Sequence, residues 1–358
     1  MKIKEKERID IRIVGGTALC LCALLPSCFL ALLIAQKIEA CQDKEALSRT
    51  LNENNLYGRV QLEWTDHDVT GLAASLLLQP TQCSIDLELT TETLSCASFQ
   101  YVCKALSSSH LARSLTVYLS KVMPGHLESL SDALKKNVSL KGLKLIEEAH
   151  ESRGSAVRAA DGLRFSTSVS NLEIKCISGM ELDDVRRLKY LIAEARSLNA
   201  IEISSTFRFY SSYAYILSEG VLCNPFITSF RVSPGFVANP DTEFNEPLIR
   251  NNARLSRAAR FVLRRNTGKL CAEAFELFRS KASLIERVKA VSGMSDSDAE
   301  AAVKSAEQFL SDNYFFINQV VRDKLECLPG EGTQIDQLNR DCLRLITRYL
   351  KISDVIVK

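Results

Sequence analysis

The sequence has no excess of either charge. Lysine and arginine number 45 against 43 aspartate and glutamate, a net charge of +2, so the whole-chain balance gives no reason to expect nucleic acid or another polyanion as partner. Histidine is scarce: His67, His110, His126 and His150 have no spacing to one another, or to Cys, Asp or Glu, that would build a metal site or a nucleophile pair. No phosphate-binding glycine loop is present, because Gly15 and Gly16 stand alone inside an apolar run. The twelve cysteines form no disulfide framework. Cys20, Cys22 and Cys28 share the apolar run, the others are scattered and odd in number, and Cys96 and Cys103 lack a histidine or a second pair nearby. They read as buried thiols acting as small apolar side chains. Catalysis has no visible home, so neither an enzyme nor a cofactor is expected.

A composition 46% hydrophobic and 25% charged is that of an ordinary folded protein with a sizeable core. Near the start, Ile13 to Ala35 contains no charged residue. As a helix this run would reach about 35 Å, enough for a hydrocarbon layer of roughly 30 Å. The default expectation is therefore a basic segment and a single transmembrane helix within residues 1–40, and a single-pass membrane localisation. A cleaved signal peptide and a buried helix are the alternatives. Lys2, Lys4, Lys6, Arg8 and Arg12 before the run, against Lys37, Lys44 and Arg49 after it, place the N-terminus inside and the body outside. The unpaired cysteines argue the opposite, a cytosolic body in a reducing compartment.

Internal periodicity dominates residues 56–240. Apolar residues Leu87, Leu115, Leu143, Leu172, Ile201 and Phe230 recur at intervals of 28, 28, 29, 29 and 29 residues. Each is followed two residues later by Leu89, Val117, Leu145, Ile174, Ile203 or Val232, the alternation of a half-buried strand. Each is preceded by a pair four apart, the spacing of one helical face: Ala74 and Leu78, Val102 and Leu106, Leu130 and Leu134, Ala159 and Leu163, Leu188 and Ile192, Leu217 and Val221. A fifth column, three residues before the central one, holds Ser84, Ala112, Leu140, Val169, Leu198 and Ile227. Ser84 is the one polar residue in all five columns, which chance does not explain at this composition. The pattern predicts parallel strands at 85–89, 114–118, 142–146, 171–175, 200–204 and 229–233, each preceded by a helix and stable only when stacked on its neighbours. Val60 and Leu62, 27 residues before Leu87 and Leu89, suggest a capping unit. Asn137 and Asn224 share one place between helix and strand and are expected to supply left-handed turns. Asn137-Val138-Ser139 is also a glycosylation sequon, meaningful only in an exported body.

In these units the chain resembles leucine-rich repeats of the ribonuclease-inhibitor class, as also found in Ran GTPase-activating protein and in the C-terminal part of intracellular innate-immune receptors. The match is best in LSDALKKNVSLKGLKL (Leu130–Leu145), echoed by LSEGVLCNPFITSFRV (Leu217–Val232). The resemblance implies an α/β solenoid of about six repeats, with strands on the concave side and helices on the convex side. It implies a non-enzymatic interaction scaffold that binds a protein partner. The family's Asn or Cys, five residues after the central leucine, is replaced by Glu92, Ser120, Glu148, Ile177, Thr206 and Gly235. The array is degenerate, and no residue carries over a GTPase-activating role.

Strand residues pointing away from the core are free for recognition. Glu88, Tyr118, Lys144, Ile146, Glu173, Lys175, Glu202 and Arg231 are the candidate partner-binding set, with Tyr118 and Ile146 as its apolar centre. Their mixed charge suits a protein rather than nucleic acid. Beyond a connector at 232–247, residues 248–358 read as an all-α region. Leu255, Ala258, Ala259, Val262 and Leu263 make one apolar face; Phe275, Phe278, Ile285 and Val288 make another; Ser295 and Asp298 form a capping box. Arg257, Arg260, Arg264, Arg265 and Lys269 cluster as a basic patch, read as solvated helix charge. The stretch LNRDCLRLITRYLKISDV (Leu338–Val355) is similar to the opening of an F-box, through Leu338, Ile346, Tyr349, Leu350 and Asp354. That likeness implies an alternative function, a substrate receptor of a ubiquitin ligase with a cullin adaptor as partner. Packing of an amphipathic last helix is the other account.

Overall fold

The structure, a computed structural model, describes residues 8–14, 17–20, 57–63, 84–92, 94–177, 179–205, 211–232, 241–319, 338, 340–347 and 349–354. The chain divides into two compact units, residues 1–248 and 249–358.

The first unit is built on one sheet. Its strands are β1 (Arg8–Val14), β2 (Thr17–Cys20), β3 (Tyr57–Glu63), β4 (Ser84–Thr90), β5 (Ala112–Leu119), β6 (Gly142–Glu147), β7 (Asn171–Cys176), β8 (Ala200–Ser205) and β9 (Ser229–Val232), in the order β2-β1-β3-β4-β5-β6-β7-β8-β9. From β1 through β3 to β9 every neighbour is parallel, and only β1 and β2 run antiparallel. Between the later strands lie α1 (Cys96–Ser108), α2 (Pro124–Lys136), α3 (Ser155–Ala159), α4 (Leu182–Glu194) and α5 (Ser211–Cys223).

The six expected strands are present, and the repeat columns become rungs. Leu87, Leu115, Leu143, Leu172, Ile201 and Phe230 are register partners in turn, and all are buried. The helix pairs from Val102 and Leu106 onward lie fully buried beneath them in the same core. Ala74 and Leu78 lie outside the described residues. Parallel order follows because each unit repeats strand, helix and return in one sense.

In the first unit three expectations need correction. The run expected to span a membrane supplies the end of β1 and all of β2 instead, while residues 21–35 lie outside the described residues. Among the described residues no helix is long and apolar enough to cross a membrane, which overturns the single-pass localisation. The competing signal is the two-residue alternation of Ile9, Ile11 and Ile13 with Asp10 and Arg12, a strand period that leads into the start of the run. The capping unit is also shifted: Leu62, not Val60, is the register partner of Leu87. An even slip keeps the same faces, so the sequence pattern alone does not detect it. Nor does β3 end the sheet, since β1 continues it.

The third correction concerns the turns. Asn137 has φ −69° and ψ 136°, an extended backbone rather than a left-handed one. Its side chain does the work. Oδ1 accepts from the N–H of Ser139 at 2.9 Å and of Leu140 at 2.7 Å, while Nδ2 donates to the Leu106 and Ser109 carbonyls of the preceding unit. Asn224 repeats this on Phe226, Ile192 and Ala195. Ser109 and Ser166, at the same place in their units, accept in the same way from the residues two and three ahead. A side chain that closes its own turn and reaches the previous one satisfies buried backbone groups that no ladder covers. Asn137 is therefore buried with both amide protons engaged, so the sequon is closed to modification.

The third helix differs from its neighbours. It is only five residues long, starts after Gly154 at φ 71° and passes into a 3-10 turn, Ala160–Arg164. There Gly162 lies against the backbone of Ser131 on α2, a place where even a Cβ would come within 2.3 Å of the carbonyl oxygen.

The second unit is helical. Helix α6 (Asp241–Val262) runs across the boundary into it, followed by α7 (Lys269–Phe278), α8 (Ala282–Ser292), α9 (Asp296–Asp312), α10 (Tyr314–Ile317) and α11 (Arg340–Thr347). Residues 241–247 of the expected connector are helical despite Pro247. In the first unit, Phe244 is buried with its ring stacked 4.3 Å from Phe230, which holds the start of α6 in place. The expected face of Phe275, Phe278, Ile285 and Val288 is split between α7 and α8, and Leu284 rather than Ile285 is its buried member. Half of the expected capping box is formed: Ser295 Oγ accepts from the Asp298 N–H at 3.2 Å, but the Asp298 carboxylate accepts from the Ser295 hydroxyl, at 2.7 Å, instead of from its backbone N–H.

Candidate functional site

Side chains alternate across each strand, so if one set meets the helices the other must face away. On that open face β4 to β9 align the row Glu88, Thr116, Lys144, Glu173, Glu202 and Arg231 as successive register partners. Beside it runs a row of small residues from Ser114 through Gly142, Asn171 and Ala200 to Ser229. Small side chains flanked by long ones leave an open groove of about 550 Å³, lined by both rows from β5 to β9. Gly142 has room, since the nearest atom to an added Cβ would be Ser114 Oγ at 3.7 Å.

The groove's electrostatics are local. Lys144 Nζ lies 2.6 Å from Glu173 Oε1, and Glu202 stands between Glu173 and Arg231 in register. An ion pair this exposed contributes only about 0–1 kcal/mol to stability. Its charges are available for recognition. Of the candidate residues, Lys144, Glu173, Glu202 and Arg231 line the groove, whereas Glu88, Tyr118, Ile146 and Lys175 do not. Tyr118, Ile146 and Lys175 form a separate row two residues further along the strands. Ile146 retains only 8% of its surface, so it is a packing residue rather than the centre of a recognition patch. A period-two pattern cannot separate open-face residues that stay wet from those that are covered.

At the strand ends the sequence pattern missed a buried acid. Glu147 has no exposed surface and is the register partner of Leu119 and Cys176. Its Oε1 accepts from the Ala156 N–H of α3 at 3.0 Å. Burial raises its pKa above the ordinary carboxylate range, against weaker lowering by the Ala156 N–H and the Cys176 thiol. Burial also pushes the Cys176 thiol up, with the Glu147 charge adding to it. A folded-state pKa raised above the unfolded value means this site stabilises most at low pH, below the unfolded carboxylate value, and loses that contribution as pH rises through the folded value. Glu147→Gln is therefore expected to gain stability over the parent, by a margin that widens as pH rises from the unfolded carboxylate value of about 4 toward the raised folded value. Urea midpoints of both proteins across that range test it, and a margin independent of pH would refute a buried, titrating Glu147.

His126 is also buried; desolvation lowers its pKa, its Nδ1 accepts from the Met123 N–H at 3.3 Å and its ring packs 4.9 Å from Phe99. It serves the entry to α2. Among the described residues no group of three or more His, Cys, Asp or Glu is placed to hold a metal ion. In the F-box-like stretch, Tyr349 is 85% exposed and Leu350 is exposed. Ile346 and Leu338 are half-buried, and Asp354 accepts from the Lys351 N–H at 2.9 Å. No protein-family model matches the chain, and no curated protein compared with it is similar enough to count as a match.

Proposed function

We propose that the chain is a non-enzymatic interaction scaffold, a degenerate leucine-rich-repeat solenoid of the ribonuclease-inhibitor class that binds a protein partner through its concave sheet face. The observation that carries this reading is the groove along β5 to β9, bounded by Lys144, Glu173, Glu202 and Arg231 and floored by small residues. Five adjacent parallel strands each contribute the same two positions to it, as a repeat array does when it offers an extended surface. Opposite charges a few ångströms apart fit a protein surface carrying both signs.

Filling the groove floor separates this reading from its rivals. Ala200→Arg should reduce partner retention at least about tenfold in quantitative affinity capture, because a long side chain at the groove floor excludes the partner. The variant should melt within a few degrees of the parent, since it points away from the core. Tyr190→Glu, on the exposed side of α4, should retain the same partner. A folded Ala200→Arg protein with unchanged captures would exclude the groove as the binding surface.

A further inference from the structure

The near-neutral charge of the whole chain conceals a one-signed segment. From Pro247 to Ala272 there is no acidic residue, whereas Arg250, Arg254, Arg257, Arg260, Arg264 and Arg265 are followed by Lys269. All belong to the second unit. The first four sit on α6 at steps of four, three and three, so they share one helical stripe. It lies away from the buried stripe of Leu255, Ala258, Ala259 and Val262. Arg257, Arg260, Arg264 and Arg265 are exposed.

Elsewhere in this unit cations have carboxylate partners, as in Arg279 with Glu307 and Lys289 with Glu286 and Asp296. Among the described residues, no carboxylate pairs with Arg254, Arg257, Arg260 or Arg265. Arg264 is held in place instead. Its guanidinium lies 3.7 Å from the Phe309 ring centre, and its Nη2 donates to the Ser305 carbonyl at 2.9 Å. Its backbone, at φ 56°, takes a left-handed conformation that non-glycine residues rarely adopt. That turn brings the N–H of Arg265 back onto the Arg260 carbonyl, so the cationic row continues past the end of the helix.

We propose that this arginine face binds the phosphodiester backbone of a nucleic acid, by charge and not by base sequence. Arginine outnumbers lysine six to one here, and the planar guanidinium fork matches phosphate oxygens in pairs. The four arginines on α6, from Arg250 to Arg260, span about 15 Å of helix. Over that length one nucleic-acid strand offers about four phosphates, at roughly 3.4 Å of axis each. A line of charge meets a line of charge. A bilayer presents a plane instead, and would engage the exposed Ile249 and Leu270 that flank the row.

The test is fluorescence anisotropy of the full chain with a short labelled duplex of random sequence over a salt series. The expected result is binding that weakens steeply with salt. R257Q/R260Q/R265Q should lose at least about tenfold in affinity near 0.1 M salt, with the salt slope reduced by about 2.7, or about 0.9 for each phosphate contact removed. Lys304→Gln, an exposed cation on α9, should bind as the parent does. Matching circular-dichroism melts would show that the triple variant is folded. Three results would overturn the proposal: no salt-dependent duplex binding by the parent, equal affinity of the folded triple variant, or arginine-dependent capture by phosphatidylserine vesicles or polyglutamate without duplex binding.

Discussion

Asn137→Ala is expected to lower the unfolding free energy by about 4 kcal/mol. The Asn137 amide serves four backbone groups, two in its own turn and two in the turn before. Not all four are orphaned by its removal. The Leu106 carbonyl still accepts from Ser109 N–H and the Ser109 carbonyl from Ser139 Oγ. The cost falls on the N–H groups of Ser139 and Leu140, which lose the Oδ1 acceptor inside the protein, at about 1–3 kcal/mol each. Ser166→Ala should cost less, about 1–2 kcal/mol, because its two bonds are longer, at 3.3 and 3.4 Å, and among the described residues its hydroxyl bonds nothing in the preceding turn. Urea unfolding of the full chain followed by far-ultraviolet circular dichroism measures both. A loss under about 1 kcal/mol for Asn137→Ala would mean that water replaces the amide, and that the turns do not depend on it.

Gly162→Ala is the second large effect, at about 3 kcal/mol. The added Cβ would meet the carbonyl oxygen of Ser131 at 2.3 Å and its carbonyl carbon and Cα at 2.9 Å. These are backbone atoms of α2, so no side-chain rotation relieves the overlap, and α2 must move away from the 3-10 turn. Gly220 makes the corresponding approach two repeat units further on, to the Lys189 carbonyl at 2.8 Å, and its alanine variant should be intermediate. Gly142→Ala, on the open face with nothing nearer than 3.7 Å, should change stability by no more than about 0.5 kcal/mol. Equal melting temperatures for the Gly162 and Gly142 variants would show that the helices can separate at little cost.

These two sites also mark how far the sequence could be read. The strand and helix columns are apolar at fixed offsets, and burying apolar surface is a demand that appears directly in composition. The turn column of Ser109, Asn137, Ser166, Ala195 and Asn224 is half visible: Asn137 and Asn224 align, but for a backbone conformation Asn137 does not adopt. Its task depends on carbonyls 28 and 31 residues earlier, which no local pattern connects. Gly162 and Gly220 carried no signal until neighbouring helices could be seen to touch at those positions. In the candidate site, Lys144, Glu173, Glu202 and Arg231 were legible as outward positions. The burial of Ile146 on the same face was not, and neither was the burial of Glu147 between Leu119 and Cys176.

What the sequence by itself determined is the unit: its length, its strand, the buried stripe of its helix and the parallel order that a repeated unit must take. Hydrophobic periodicity settles these because one face of each element has to leave water. Tertiary structure decided the rest. It drew residues 13–14 and 17–20 of the apolar N-terminal run into β1 and β2, set Leu62 rather than Val60 opposite Leu87, and left a groove where small residues from five strands adjoin. Each of these depends on what lies beside a residue in the next unit, and that neighbour is fixed only when the strands pair.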